Sequence, residues 1–307
     1  MKHFLLILFL CLITKISAQT DTLKINQFIE GTFVKIDSNA PLAILIQGSG
    51  PTDRNGNGSG LKSDHSKMLY EALNNKGINT FTYDKRTVKM LRDQNLNDTI
   101  LFDDFVNDQI EIIQHFKDKG YTNIHLIGHS QGSLVAILAA QKEIVASIIS
   151  LSGTSRTADE IIIEQIEKQM PQLLDQVKDN FKRLQNNSKL VGMDNPIILS
   201  IFAKQNQKFI VNYMKYDPSL EIEKLNDLPI LVVNGDRDLQ VPVSDAEDLH
   251  KSAKNSELLI IEDMNHVLKI VSGQQVNMKS YNDPEHPVSQ KLIDDIEKFI
   301  KLHANSN

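Results

Sequence analysis

The apolar run Ile124-His125-Leu126-Ile127 leads straight into Gly128-His129-Ser130-Gln131-Gly132, and Ser133-Leu134-Val135-Ala136-Ile137-Leu138-Ala139-Ala140 follows without a break. No other stretch constrains the fold so tightly. A serine with glycine at −2 and +2, set between a buried strand and a buried helix, has the pattern of a nucleophile elbow. Such a turn is sharp and strained, so its flanking positions must be nearly free of side chains. The strand before it must lie inside a sheet, and the helix after it must cover that sheet.

The rest of the chain agrees with this requirement. Leu42-Ala43-Ile44-Leu45-Ile46 is a short continuous apolar run ending in Gly48-Ser49-Gly50-Pro51, which predicts a buried parallel strand. Residues 68–75 read as a helix and 78–83 as a second strand. Over 102–119 the apolar residues repeat at helical spacing and stop at Gly120. Further strands are predicted at 145–151, 230–233 and 258–261, and a final helix at 289–303 aligns Leu292, Ile293, Ile296, Phe299 and Ile300. Strand and helix in alternation predict an α/β class fold, a mostly parallel sheet flanked by helices. The interval 155–226 breaks the rhythm. Its amides and charges, with Ile162, Ile166, Leu173, Val177, Phe181 and Leu184 near heptad spacing, predict an inserted helical cap.

At 307 residues and 41% hydrophobic content, one large core is expected, so a single domain over 19–307 carries the insertion. A formal charge of −6 offers no basic face for nucleic acid. Residues 1–18 read as a cleaved export signal: Lys2 and His3, ten apolar residues from 4 to 13, then Ile16-Ser17-Ala18. Ten apolar residues are too few to span a bilayer, which takes about twenty, so a periplasmic or secreted protein is expected. The single cysteine, Cys11, leaves with this segment, and the remaining chain has neither a disulfide nor a thiol nucleophile.

Reactive groups in such sheets gather at the carboxyl ends of strands. Asp236 and Asp238 follow the strand ending at Val233, and His266 follows the strand ending at Ile261. Serine, acid and histidine therefore occur in the order an acyl-transfer triad uses on an α/β sheet. The chemistry needs His266 as base to Ser130 and a carboxylate to fix its tautomer. His286 and His303 follow no strand, and His129, adjacent to the serine on a sharp turn, points elsewhere and serves as scaffolding. Asp236, directly after Gly235, suits a turn cap, and both carboxylates stay in play on spacing alone. A developing oxyanion needs two backbone donors: the amide of Gln131, after the serine, and that of Ser49, in the glycine loop after the first core strand.

Taken with Tyr83-Asp84-Lys85-Arg86, the loop 47–57, Gly235-Asp236-Arg237-Asp238-Leu239-Gln240-Val241-Pro242 and Met264-Asn265-His266-Val267-Leu268-Lys269, the elbow resembles the α/β-hydrolases of the bacterial serine-esterase and serine-aminopeptidase-like group. The resemblance spans nearly all of 19–307 except the cap. It implies a triad of Ser130, Asp238 and His266, no cofactor, and hydrolysis of small or short-chain carboxylic esters through an acyl-enzyme. Aminopeptidase, amidase or acyltransferase activity on the same triad is the alternative, and a non-catalytic binding module fits the retained triad poorly. Phe202, Phe209, Tyr213 and Met214 of the cap are available to line an acyl pocket. Related chains place a glycine-rich turn after Asp-Lys-Arg, whereas Thr87-Val88-Lys89 follows here, so a reshaped loop is expected.

The segment from Asp53 to Asp64 also fits part of a calcium-loop pattern. Asp at its twelfth place, only two carboxylates and no preceding helix favour a turn-rich loop without metal, in which Arg54 meets a substrate carboxylate or a structural acid.

Overall fold

Short runs of branched and aromatic residues build the centre of an eight-stranded sheet in the computed structural model, which describes residues 19–94 and 99–304. The expected export signal, 1–18, and Cys11 lie outside the described residues. The strands are β1 (Gln19–Lys24), β2 (Glu30–Lys35), β3 (Leu42–Ile46), β4 (Asn79–Tyr83), β5 (Ile124–His129), β6 (Ser147–Leu151), β7 (Ile230–Gly235) and β8 (Ser256–Ile261). Their order across the sheet is β1-β2-β4-β3-β5-β6-β7-β8. The β1–β2 and β2–β4 pairs are antiparallel, and every other pair is parallel. The mostly parallel α/β sheet read from the sequence is thus present, with an antiparallel hairpin added at one edge.

Strands β3 to β7 are buried at every position, which explains the unbroken apolar run of β3, while β4 buries Asn79, Thr80 and Thr82 in hydrogen bonds. Alternate residues of β3 feed two cores. Leu42, Ile44 and Ile46 pack with the helices Phe102–Asp118 and Gln131–Ala140, while Ala43 and Leu45 pack with His65–Asn75 and Gln290–Leu302. The register then aligns the carboxyl ends: Ile46 sits opposite Gly128, His129 opposite Leu151, Leu151 opposite Val233 and Gly235 opposite Ile261. One edge of the sheet therefore carries the loops that follow β3, β5, β7 and β8.

Five helices lie between β6 and β7: Ala158–Gln169, Leu174–Gln185, Pro196–Phe202, Lys204–Tyr213 and Pro218–Glu223. Proline opens the third and fifth, where its missing N–H costs nothing, and the side chains of Asn195 and Asp217 cap their free amides. This insertion has a core of its own, in which Phe181 and Phe202 meet with ring centroids 4.9 Å apart. Phe202, expected to be available to an acyl pocket, is fully buried in that core instead. A second departure follows Asp84. Arg86 to Arg92 forms a helix, so Thr87-Val88-Lys89 continues as regular structure instead of a turn. No helix among the described residues is long and apolar enough to cross a membrane.

Candidate active site

Ser130 stands at φ 53° and ψ −121°, a strained conformation for a residue with a side chain. The geometry explains both glycines. A Cβ on Gly128 would lie 2.3 Å from the Gly132 carbonyl oxygen, and one on Gly132 would lie 2.4 Å from that of Ile46. The loop after β3 closes over the elbow, since a Cβ on Gly48 would come within 3.3 Å of the Ser130 Cβ.

Across the edge, His266 Nδ1 donates to Asp238 Oδ2 at 2.8 Å, between side chains 5% and 0% exposed. The other oxygen of Asp238 accepts the amides of Gln240 and Val241 at 2.8 and 2.9 Å. Burial pushes the Asp238 carboxyl up, but His266 and the two amides outweigh it and hold the group below the usual carboxylate range. Asp236 is exposed and accepts the Asp263 amide at 2.7 Å, which ties two turns together. His286 donates to the Ile270 carbonyl, and His303 packs on Phe299.

The Ser130 hydroxyl has no hydrogen-bond partner among the described residues, so the acid–histidine half of the constellation is formed and the serine–histidine contact is open. Unliganded sites of this kind are commonly loose at that contact.

His129 Nε2 donates to the His266 carbonyl at 2.8 Å and pins that loop to the elbow. Three imidazoles form a row, His65 to His129 at 4.8 Å and His129 to His266 at 4.9 Å between centroids. Burial, aided by the neighbouring imidazole, lowers His129 to about 3 and takes His65 well below its ordinary value. Both are neutral supports. Beneath them the fully buried Lys269 donates to the carbonyls of Ser63, Ser280 and Asp283, and Asn265 bonds Asn277 and Ser280.

On the other side of the serine, neither the Ser49 nor the Gln131 amide donates to a protein acceptor among the described residues. Lys85, buried at the carboxyl end of β4, donates to the Gly48 carbonyl at 2.7 Å and to Gln131 Oε1 at 3.0 Å. Its ammonium lies 4.3 Å from the centre of the Phe105 ring, and burial pushes it down to about 7. Sequence reasoning quoted this lysine within a motif and gave it no role; its place at a strand's carboxyl end was the available signal.

The insertion reaches the same spot. Tyr213 stacks on Phe102 at 4.3 Å and Phe209 meets Phe105 at 5.7 Å; burial pushes the Tyr213 phenol up to about 12, against the opposing effect of the nearby Gln131 carboxamide. Asn212 and Tyr216 both bond Asp103 at the start of the helix Phe102–Asp118. Met214 belongs to the insertion's own core. A surface cleft of about 510 Å³ at the base of the insertion borders Ser155, Arg156, Asp217 and Lys251 and reaches none of Ser130, Asp238 and His266.

Arg54 forks onto Asp84 through Nε at 3.0 Å and a terminal nitrogen at 2.8 Å, and also bonds Glu30. It meets a structural acid. Asp53 Oδ1 accepts the amides of Asn55 and Asn57, and Asn57 donates to Asp64. The chain's own donors thus engage Asp53 Oδ1, Asn57 Oδ1 and one oxygen of Asp64.

A strained serine between strand and helix, with acid and histidine on later strand ends of a mostly parallel sheet, defines an α/β-hydrolase. The family described as serine aminopeptidase, S33, matches residues 57–269, and the chain belongs to it. Among solved structures, Est1E from Butyrivibrio proteoclasticus is similar at 17% identity and a TM-score of 0.55, over 93% of this chain and 98% of that one. DcsB in complex with a substrate analogue matches at 16% identity and TM-score 0.60, over 94% and 100%. A thermophilic esterase from Thermogutta terrifontis matches at 15% and 0.53, over 94% and 100%. At these identities the likeness is one of fold. No curated protein matches the chain.

Proposed function

We propose that the protein hydrolyses small carboxylic esters through an acyl-enzyme on Ser130. The observation that carries this reading is the buried Asp238–His266 hydrogen bond on the sheet edge that also bears the strained serine. Asp238 holds the Nδ1 proton of His266, leaving Nε2 to take the Ser130 proton as Oγ attacks the acyl carbon. The tetrahedral oxyanion is received by the Ser49 and Gln131 amides. On collapse, the histidine returns the proton to the departing alkoxide. Water, deprotonated by His266, then releases the acid and restores the serine.

The aromatic wall of Phe209 and Tyr213 beside Gln131 favours a short acyl group. Est1E has been solved with ferulic acid bound, which supports a small-acyl reading for this fold.

The family's description favours a second reading, cleavage of a peptide amide at an amino terminus. That reaction needs a carboxylate to receive the substrate's ammonium. Asp84, next to Lys85, and Asp238 are each engaged by partners within the chain. The ester reading is therefore preferred. Turnover of acyl esters from two to sixteen carbons should be compared with aminoacyl anilides. Fastest cleavage of two- to four-carbon esters is expected; faster cleavage of anilides, or a long-chain preference that rises at emulsified interfaces, would overturn it. We further propose that residues 1–18 direct export and are then removed.

A further inference from the structure

We propose that Lys85 is the positioning residue of the oxyanion hole, orienting the Ser49 amide and the start of the Gln131 helix through one ammonium. The inference rests on the hydrolase reading above and goes beyond it.

The argument for the first donor comes from the peptide plane. A trans peptide points its C=O and N–H in opposite directions. Lys85 holds the Gly48 oxygen at 2.7 Å, so the N–H of that same peptide unit, which belongs to Ser49, is turned away from the lysine. Gly48 packs on the Ser130 Cβ, and Ser49 is exposed, so this amide faces the open side of the elbow. Without an anchor, a loop of the composition Gly48-Ser49-Gly50 is free to flip that peptide and present a carbonyl to the developing negative charge.

The second donor is held by its own side chain. Gln131 Oε1 accepts from Lys85 at 3.0 Å, which fixes the residue whose backbone amide opens the helix Gln131–Ala140. Gln131 and Lys85 are both buried. A cation in this position also acts electrostatically. It stands behind the dipole of the Gly48–Ser49 peptide, in surroundings poor in water, where such fields are strongest. Burying a lysine is costly, and neither carbonyl needs an ammonium for its own sake. No carboxylate pairs with Lys85 among the described residues; its ammonium meets the two acceptors and the Phe105 face.

The test compares wild type with Lys85→Met, which fills similar volume and donates nothing, and with Gln131→Leu, which keeps the backbone amide and loses the tether. Three quantities are read on a short-chain ester and its trifluoromethyl ketone: kcat, KM and the inhibition constant of the ketone. Lys85→Met is expected to lower kcat about 10²–10³-fold, the range for loss of one oxyanion donor. KM should change by less than about threefold, and ketone affinity should fall in parallel with kcat. Gln131→Leu should lose about tenfold in kcat and serves alone if Lys85→Met does not fold. Unchanged kcat, a change confined to KM, or a fall in kcat with unaltered ketone affinity would overturn the proposal. Labelling by a fluorophosphonate separates the two levels. If wild type does not label at Ser130, the hydrolase reading falls and this one with it; if wild type and Lys85→Met label at equal rates, only the role of Lys85 falls.

Discussion

Asp238→Asn tests the acid through the identity of a single proton. In the wild type, Asp238 Oδ1 accepts two amides at 2.8 and 2.9 Å, while Oδ2 accepts His266 Nδ1–H at 2.8 Å. An asparagine keeps its one oxygen on the two amides, because turning its NH₂ towards them would set donor against donor. Its NH₂ therefore faces His266 Nδ1 and donates to it. The imidazole must then carry its proton on Nε2, the nitrogen that has to accept from Ser130. Both side chains are almost fully buried, so water cannot substitute for the lost acceptor. The wrong tautomer and the missing negative charge together should lower kcat by about 10⁴, or about 5 kcal/mol at ~1.36 kcal/mol per decade. Size and hydrogen-bond count at the turn are preserved, so the melting temperature should move by only a few degrees. The assay is initial-rate hydrolysis of a two-carbon nitrophenyl ester, with thermal melts followed by circular dichroism. Asp236→Asn in parallel should leave kcat within threefold and act on stability through the Asp263 amide. A fall in kcat below tenfold for Asp238→Asn, or a larger fall for Asp236→Asn, would refute the argument.

Other outcomes follow from the same geometry. Ser130→Ala should abolish fluorophosphonate labelling, located by peptide mass mapping, and reduce turnover by about 10⁴–10⁶. Phe209→Ala, at the aromatic wall, should widen chain-length preference by two to four carbons; an unchanged profile would show that the acyl pocket is built elsewhere. Arg54→Met takes the guanidinium fork from the buried carboxylate of Asp84, leaving it the backbone amide of residue 54 and Arg92 at 3.4 Å, and should cost about 2 kcal/mol in denaturant melts at neutral pH. Burial raises the Asp84 carboxyl and Arg54 overcomes this, holding it below its ordinary value. Its stabilisation is therefore complete above the unfolded pKa of about 4 and is lost as pH falls through the lower folded value. Arg54→Met should weaken that acid dependence, since only the backbone amide of residue 54 and Arg92 then favour the carboxylate. For the chain expressed with its leader in a bacterial host, intact mass of the exported form should give a first residue of Gln19.

The central strands were legible because a strand buried on both faces has no polar side to disguise it, as in Leu42–Ile46. The β1–β2 hairpin was not. Its outer strand is half exposed and rich in threonine, and neither strand makes a continuous apolar run. Heptad spacing in the insertion signalled helices but not their destinations, so Phe202, four residues C-terminal to Ile198, was assigned to a pocket and instead packs on Phe181. Spacing left Asp236 and Asp238 equivalent; the choice depends on which carboxylate the β8 loop meets in space. Lys85 was passed over despite its place at a strand's carboxyl end, since lysines are seldom buried without a charged partner. Only the coordinates show two acceptors converging on its ammonium.

Gln131 belongs to the elbow through its backbone and holds Lys85 through its carbonyl, and Tyr213 of the insertion lies near the same carboxamide. If the insertion sets the acyl pocket as proposed, substrate range and turnover are tied to one side chain. Sequence drift in the insertion that replaces Tyr213 to admit a bulkier acyl group would also loosen a residue next to the reacting atoms. New specificities in this lineage should then arise first as slow enzymes, and recover speed through second changes at or around position 131.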